Sequence, residues 1–324
     1  MIVNVVPVSS SISEFGLVSC FATSRAQGPD GTIFAGTESG LIQSRDYGRS
    51  WSPSSPGNAI DRITAVAIGS VSDVDNAGSV VTASQAGLYR MNSQSTDWRQ
   101  LLSTHIHSVA MFNPTPDEEV LLVATELDGI LRSTDGGINW KSATAGLLDS
   151  AVLSLAVSPN AASGRMTLAG TISGINLSRN DGKAWRIGAI PFDEVVVQTV
   201  AISPHFPLDQ CALAGTEEHG LLETSDGGLH WGAVVGFEDK SISAVTFAPA
   251  YSLHRIALVG SGSNCYVRFE GEDGWSHLLD AGENIWALHV LDVSGELIVL
   301  AGLTSGLATW AIPLAELPTP ERTE

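Results

Sequence analysis

Short apolar runs recur along the chain at a nearly constant interval, each bounded by Gly, Ser, Asn or Asp. One set reads Leu17–Ala22, Ile63–Ile68, Ile106–Met111, Val152–Val157, Val197–Ile202, Ile242–Phe247 and Ile285–Val290, with starts 46, 43, 46, 45, 45 and 43 residues apart. A second set follows in phase and ends in a Gly turn. Its clear members are Ala35–Leu41, Ala124–Ile130, Ala169–Ile175, Ala214–Leu221 and Ala301–Leu307; weaker ones are Thr82–Leu88 and Val259–Cys265. Runs this short, rich in β-branched residues and closed by Gly, predict strands. The 3.6-residue spacing of an amphipathic helix is missing. Seven copies of about 45 residues match the period of β-propeller blades.

Within each copy we expect four strands, a to d. The first set supplies strand a, and the Gly turn joins strands b and c, where a tight hairpin needs positive φ. The third position of each strand a is small (Ser19, Ala65, Ser108, Ser154, Thr199, Ala244, Ala287). Seven innermost strands converge on one axis, and bulky side chains in every copy would clash there.

Tryptophan marks strand d. Trp51, Trp98, Trp140, Trp185, Trp231 and Trp275 are 47, 42, 45, 46 and 44 residues apart. Four of them close the pattern Ser/Thr-x-Asp-x-Gly-x-x-Trp. It is clearest in Ser133-Thr134-Asp135-Gly136-Gly137-Ile138-Asn139-Trp140 and again in Ser225-Asp226-Gly227-Gly228-Leu229-His230-Trp231. It is looser in Ser44–Trp51 and Ser178–Trp185. This pattern resembles the Asp-box, or BNR repeat, of sialidase-like β-propellers. The resemblance implies that Asp46, Asp135, Asp181 and Asp226 accept backbone N–H groups within their own c–d turns. It also implies that Trp51, Trp140, Trp185 and Trp231 wedge between blades, on the face away from any ligand site. Blades two, six and seven depart from the motif.

The seventh copy lacks a strand d. After Trp310 the chain meets Pro313, Pro318 and Pro320, and Pro is poor inside a sheet. The orphan apolar stretch Ile2–Val8 can fill the gap, which removes two exposed sheet edges. The expected architecture is all-β: one seven-bladed propeller over residues 1–312, closed by the N-terminal strand, with a Pro-rich tail over 313–324.

Composition narrows the partners. The formal net charge is -19, and Lys occurs only at 141, 183 and 240. Such a surface repels nucleic-acid phosphates and anionic membranes. Three widely spaced cysteines, Cys20, Cys211 and Cys265, form no zinc-like cluster and read as buried free thiols of a reducing compartment. The N-terminus lacks a signal-peptide pattern, and no apolar run reaches the ~18 residues of a membrane span. These features predict a cytoplasmic protein of bacterial type.

Catalytic signatures are sparse. A sialidase needs three convergent arginines, and Arg62 and Arg255 lack a convincing third; tyrosines are few. The xyloglucan-cleaving enzymes that share the Asp-box use two propellers. P-loops, dinucleotide fingerprints and Ser/His/Asp triads are absent, so no cofactor or metal is expected. The face opposite the Asp-boxes carries Glu38, Arg62, His105, His107, Glu126, Asp128, Glu217, Glu218, His219 and Trp286 on b–c turns, d–a loops and strand a. His105, His107 and His219 would form a metal site only if their loops folded together. The size and layout resemble single-propeller, non-enzymatic Asp-box proteins such as the photosystem II assembly factor, although the basic patch of that protein is missing. The expected function is a non-catalytic scaffold that binds a basic or polar protein or peptide on this acidic face. The alternative is a carbohydrate-active hydrolase or lyase with acids at the channel mouth.

Overall fold

Strand pairing turns the repeats into seven separate four-stranded antiparallel sheets. The computed structural model describes residues 5–23, 32–54, 62–69, 79–91, 97–115, 118–158, 165–249, 256–269, 272 and 274–314. Blade 3 is typical: Ile106–Thr115, Glu118–Thr125, Ile130–Ser133 and Lys141–Ser142 pair in chain order. The chain is a seven-bladed β-propeller. The Gly that closes the b–c turn has positive φ in six blades (Gly40, Gly87, Gly129, Gly174, Gly220, Gly306); in blade 6 Asn264 closes the turn and Gly262, two residues earlier, has the positive φ.

The seventh blade takes its outer strand from the other end of the chain. Val6–Ile12 lies antiparallel to Leu307–Pro313, with Val6 opposite Ala311 and Ile12 opposite Leu307. The closing strand is therefore displaced from the expected Ile2–Val8; residues 1–4 lie outside the described residues. Pro7 and Pro313 sit at the ends of the paired segments, where a missing N–H is tolerated. Residues 315–324 of the expected tail lie outside the described residues.

One register needs correcting. In blade 1 Val18 faces Thr37 and Cys20 faces Gly36, so strand a runs Val18–Thr23 and starts one residue later than the apolar run suggests. The small third residue is Cys20, and Ser19 takes the second place. With that start, the register skip at the second position of strand a falls alike on Ser19, Thr64, His107, Leu153, Gln198 and Trp286. In blade 1 the apolar Leu17 precedes the strand and lengthens the run by one residue, which misplaces the start.

The blades lock together through this same end of strand a. A Cβ on Gly36 would meet Ile63 of the next blade, and one on Gly215 would meet Ile242. Gly170, Gly260 and Gly302 make the same allowance for Val197, Ile285 and Val18. The Gly302–Val18 contact closes the ring. Each inserted Val or Ile is at most 2% exposed, and burying one contributes roughly 1.5–3 kcal/mol. Hydroxyls at the second position add directional links: Ser19, Thr64 and Ser243 donate to the carbonyls of Ile63, Ile106 and Ile285 on the following blade. The core is thus a set of apolar layers between blades, each built from residues of two neighbours.

Candidate functional site

The two faces of the disc differ in how their polar groups are used. On the c–d face, Ser133 Oγ donates to Asp135 Oδ1 at 2.8 Å, and Oδ1 accepts the N–H groups of Ile138 and Asn139. Asp46 and Asp226 make the same loop closures with Ser50, and with Leu229 and His230. The Asn139 N–H and amide, with the Ser133 hydroxyl, hold the Asp135 carboxyl down at about 2. The indoles of Trp51, Trp140 and Trp231 donate to Gly48, Gly137 and Gly228 in their own turns. Trp231 belongs to the apolar layer that includes Leu168 and Leu177 of the blade before it, and Trp140 packs against the layer that includes Val81 and Ala83. Side chains committed in this way shape a turn.

Blade 4 corrects the expected role of Asp181. Asn180 occupies the carboxylate position: its Oδ1 accepts the Ser178 hydroxyl at 2.8 Å and the Ala184 N–H at 3.0 Å. Asp181 is one residue later, at φ 58, where Tyr47, Gly136 and Gly227 stand in the other turns. Its carboxylate faces Arg165 of the same blade at 3.5 Å. The amide oxygen of Asn accepts the same two bonds as a carboxylate, so the turn forms without Asp. Trp185 also differs, donating to Ala143 of blade 3 at 2.7 Å.

The opposite face is built by d–a loops and b–c turns. Glu38 and Arg62 are 3.8 Å apart and more than half exposed. His105 Nδ1 lies 3.2 Å from Glu126, and its ring stacks on His107 with centroids 4.6 Å apart. Burial lowers the His107 pKa, the neighbouring His105 adds to this, and Glu126 opposes it. His219 is not part of that group; its ring packs on Phe192 at 4.5 Å. The expected three-histidine constellation is therefore a pair and a separate residue. Their backbones belong to blades 3 and 5, and local stacking partners hold each in place. Among the described residues, no group of three or more His, Cys, Asp or Glu is arranged to hold a metal ion.

Asp128, Glu217 and Glu218 are exposed, and their side chains make no hydrogen bond or ion pair among the described residues. Trp286 sits at a bulge beside the channel, 43% exposed, its indole donating to Thr304. Glu283 is engaged by the backbone and hydroxyl of Ser305.

Sequence reasoning passed over three aliphatic residues on this face: Leu127, Leu148 and Ile172, which are 78%, 73% and 44% exposed. The available signal was an aliphatic residue inside a turn of otherwise polar composition. A groove at the rim between blades 5 and 6, lined by Glu223, Val234, Val235, Arg268 and Trp275, lies away from these residues. The two-pronged Arg268–Glu223 ion pair lies in it.

No protein-family model matches the chain, and no curated protein matches it. Solved structures do. The extracellular domain of BT4673 from B. thetaiotaomicron aligns with a TM-score of 0.68 at 18% identity, over 93% of this chain and 39% of that one. YCF48, solved with a bound D1 peptide, gives 0.66 at 12% identity over 97% of both chains. An ancestral GH74 enzyme gives 0.61 at 19% identity, over 81% of this chain and 37% of that one. The chain thus spans well under half the length of two of these proteins and nearly all of the third. At identities this low, the shared property is the propeller fold.

Proposed function

We propose that the chain is a non-catalytic, protein- or peptide-binding member of the Asp-box propellers. Its working surface is the face of b–c turns and d–a loops. The observation that carries this reading is the asymmetry between the faces. The Asp turns consume their own polar groups, while Asp128, Glu217, Glu218 and Trp286 are presented outward. A rigid disc with adaptable loops suits recognition without chemistry. The peptide carried by YCF48, a propeller of matching length, supports such a use of the fold. The partner is a basic or polar protein segment, because the chain carries a formal charge of -19. In this reading it works in the bacterial cytoplasm as one component of a larger assembly.

Photo-crosslinking tests the proposal. A benzophenone residue placed at Glu218 or Asp128, in cells that naturally make the protein, should yield one discrete protein adduct. The same group at Ile138, on the opposite face, should yield none. Adducts from Ile138 alone would refute the reading. So would polysaccharide cleavage that one Glu→Gln change on the loop face abolishes.

A further inference from the structure

We infer that the loop face over blades 3 to 5 binds a basic protein segment in which Lys or Arg side chains are interspersed with aliphatic ones. The inference rests on the scaffold reading above and adds the place and the partner's chemistry.

The first observation is apolar exposure. Leu127 lies in the b–c turn of blade 3, Leu148 in the loop leading to blade 4, and Ile172 in the b–c turn of blade 4. Singly exposed aliphatics are ordinary. Here three fall on successive loops of one face, and those loops are fastened to each other. Asp149 in the middle loop accepts the Ser173 hydroxyl at 2.8 Å, and the Ile172 N–H bonds Ala151. On the other side, Gly129 packs so closely on Thr144 and Ser150 that a Cβ would lie 2.6 Å from the Thr144 methyl. The aliphatic groups are therefore carried on a preformed surface, which lowers the ordering cost of binding.

The second observation is charge. The loop-face segments 103–107, 126–129, 143–151, 172–173, 188–196 and 217–220 carry Glu126, Asp128, Asp149, Asp193, Glu194, Glu217 and Glu218, and no Lys or Arg. Other sectors of the same face differ. Arg62 pairs with Glu38, and Lys240 stands against Tyr266 and Phe237. An apolar patch bordered by carboxylates and by no Lys or Arg selects a partner that supplies both aliphatic and cationic groups. A second copy of the chain is disfavoured, because a two-fold contact would bring like charges together. Nucleic acid is disfavoured for the same reason.

The test is to pan a displayed random peptide library on the full chain at about 0.15 M salt, where long-range surface charge is largely screened. Affinity of the winning synthetic peptide is then measured by fluorescence anisotropy. Winners should combine Lys or Arg with Leu, Ile or Val. Leu127→Ser with Leu148→Ser should weaken binding about tenfold or more. Glu126→Gln with Asp128→Asn should weaken it and flatten its salt dependence. This second pair barely changes side-chain shape, so it keeps the test sharp if the serine variant folds poorly. Ile138→Ser and Leu208→Ser, on the opposite face, should change nothing. Winners without basic residues, lost on Trp286→Ser, would overturn this inference and leave the scaffold reading standing. Winners lost only on Ile138→Ser would overturn both. No enrichment, or self-association abolished by Leu148→Ser, would overturn the inference alone.

Discussion

Asp135 Oδ1 accepts the backbone N–H of Asn139 at 2.9 Å, and Oδ2 accepts its side-chain amide at 2.7 Å. These bonds favour the ionised carboxyl over the protonated one, so its pKa stands at about 2 against an ordinary 3.8. A depressed folded-state value means that the contribution to stability is complete above about pH 4 and is lost as pH falls toward 2. Asp135→Ala should lower the melting temperature by several degrees at pH 7. The gap from the unmodified chain should shrink below about pH 3. Asp135→Asn should keep most of the stability, because Asn180 already closes the equivalent turn of blade 4. Thermal scans from pH 2 to 7 decide; equal melting of the Ala and Asn variants would contradict this account.

Removing residues 1–12 should open the ring. That strand pairs along Leu307–Pro313, and without it blade 7 presents a bare edge. We expect a fall in melting temperature of many degrees and new oligomers in size-exclusion chromatography. An unchanged melting curve would show that closure does not depend on this strand.

His289 sets an acid limit on the fold. Its ring faces Phe21 across the seam between blades 7 and 1 at 6.2 Å, and Nε2 is buried without a hydrogen-bond partner among the described residues. Burial lowers its pKa from 6.5 to about 4. Above pH 6.5 it is neutral whether folded or not. Between 6.5 and 4 only the unfolded chain takes up the proton, so stability falls by up to about 3 kcal/mol. His289→Phe keeps an aromatic ring and removes the titration. Denaturant unfolding of this variant should be less sensitive to pH across that window than unfolding of the parent.

The three thiols should be silent in the folded protein. Burial raises Cys20 to about 11 and Cys265 to about 12. Cys211 reaches about 12 through burial and the nearby carboxylates of Glu223 and Asp209. A thiol this far above its ordinary value carries almost no thiolate at pH 8. An aromatic disulfide reagent should therefore titrate the cysteines slowly before unfolding and rapidly afterwards. A fast-reacting thiol in the native protein would contradict the burial seen here.

What the chain alone determined is what recurs within a few residues. The hairpin Gly, the Ser–Asp bond of the c–d turn and the small residue facing strand b are contacts between near neighbours, so they write a pattern of about 45 residues into the sequence. The need for a closing strand was also legible, from a last copy that ends in prolines. What only the tertiary structure decided lies between blades. That Leu17 lies outside strand a of blade 1 has no signature in apolar pattern, since it continues the run that begins the strand. Asn180, by contrast, was legible: counted from Ser178 it holds the third place of the motif, and the structure shows its amide oxygen reaching the Ala184 N–H. His105 and His107 meet where the d–a loop enters strand a of blade 3, whereas His219 is held by Phe192 from another loop. The aliphatic row of Leu127, Leu148 and Ile172 exists only once three segments, separated in sequence, are brought to one side of a closed ring.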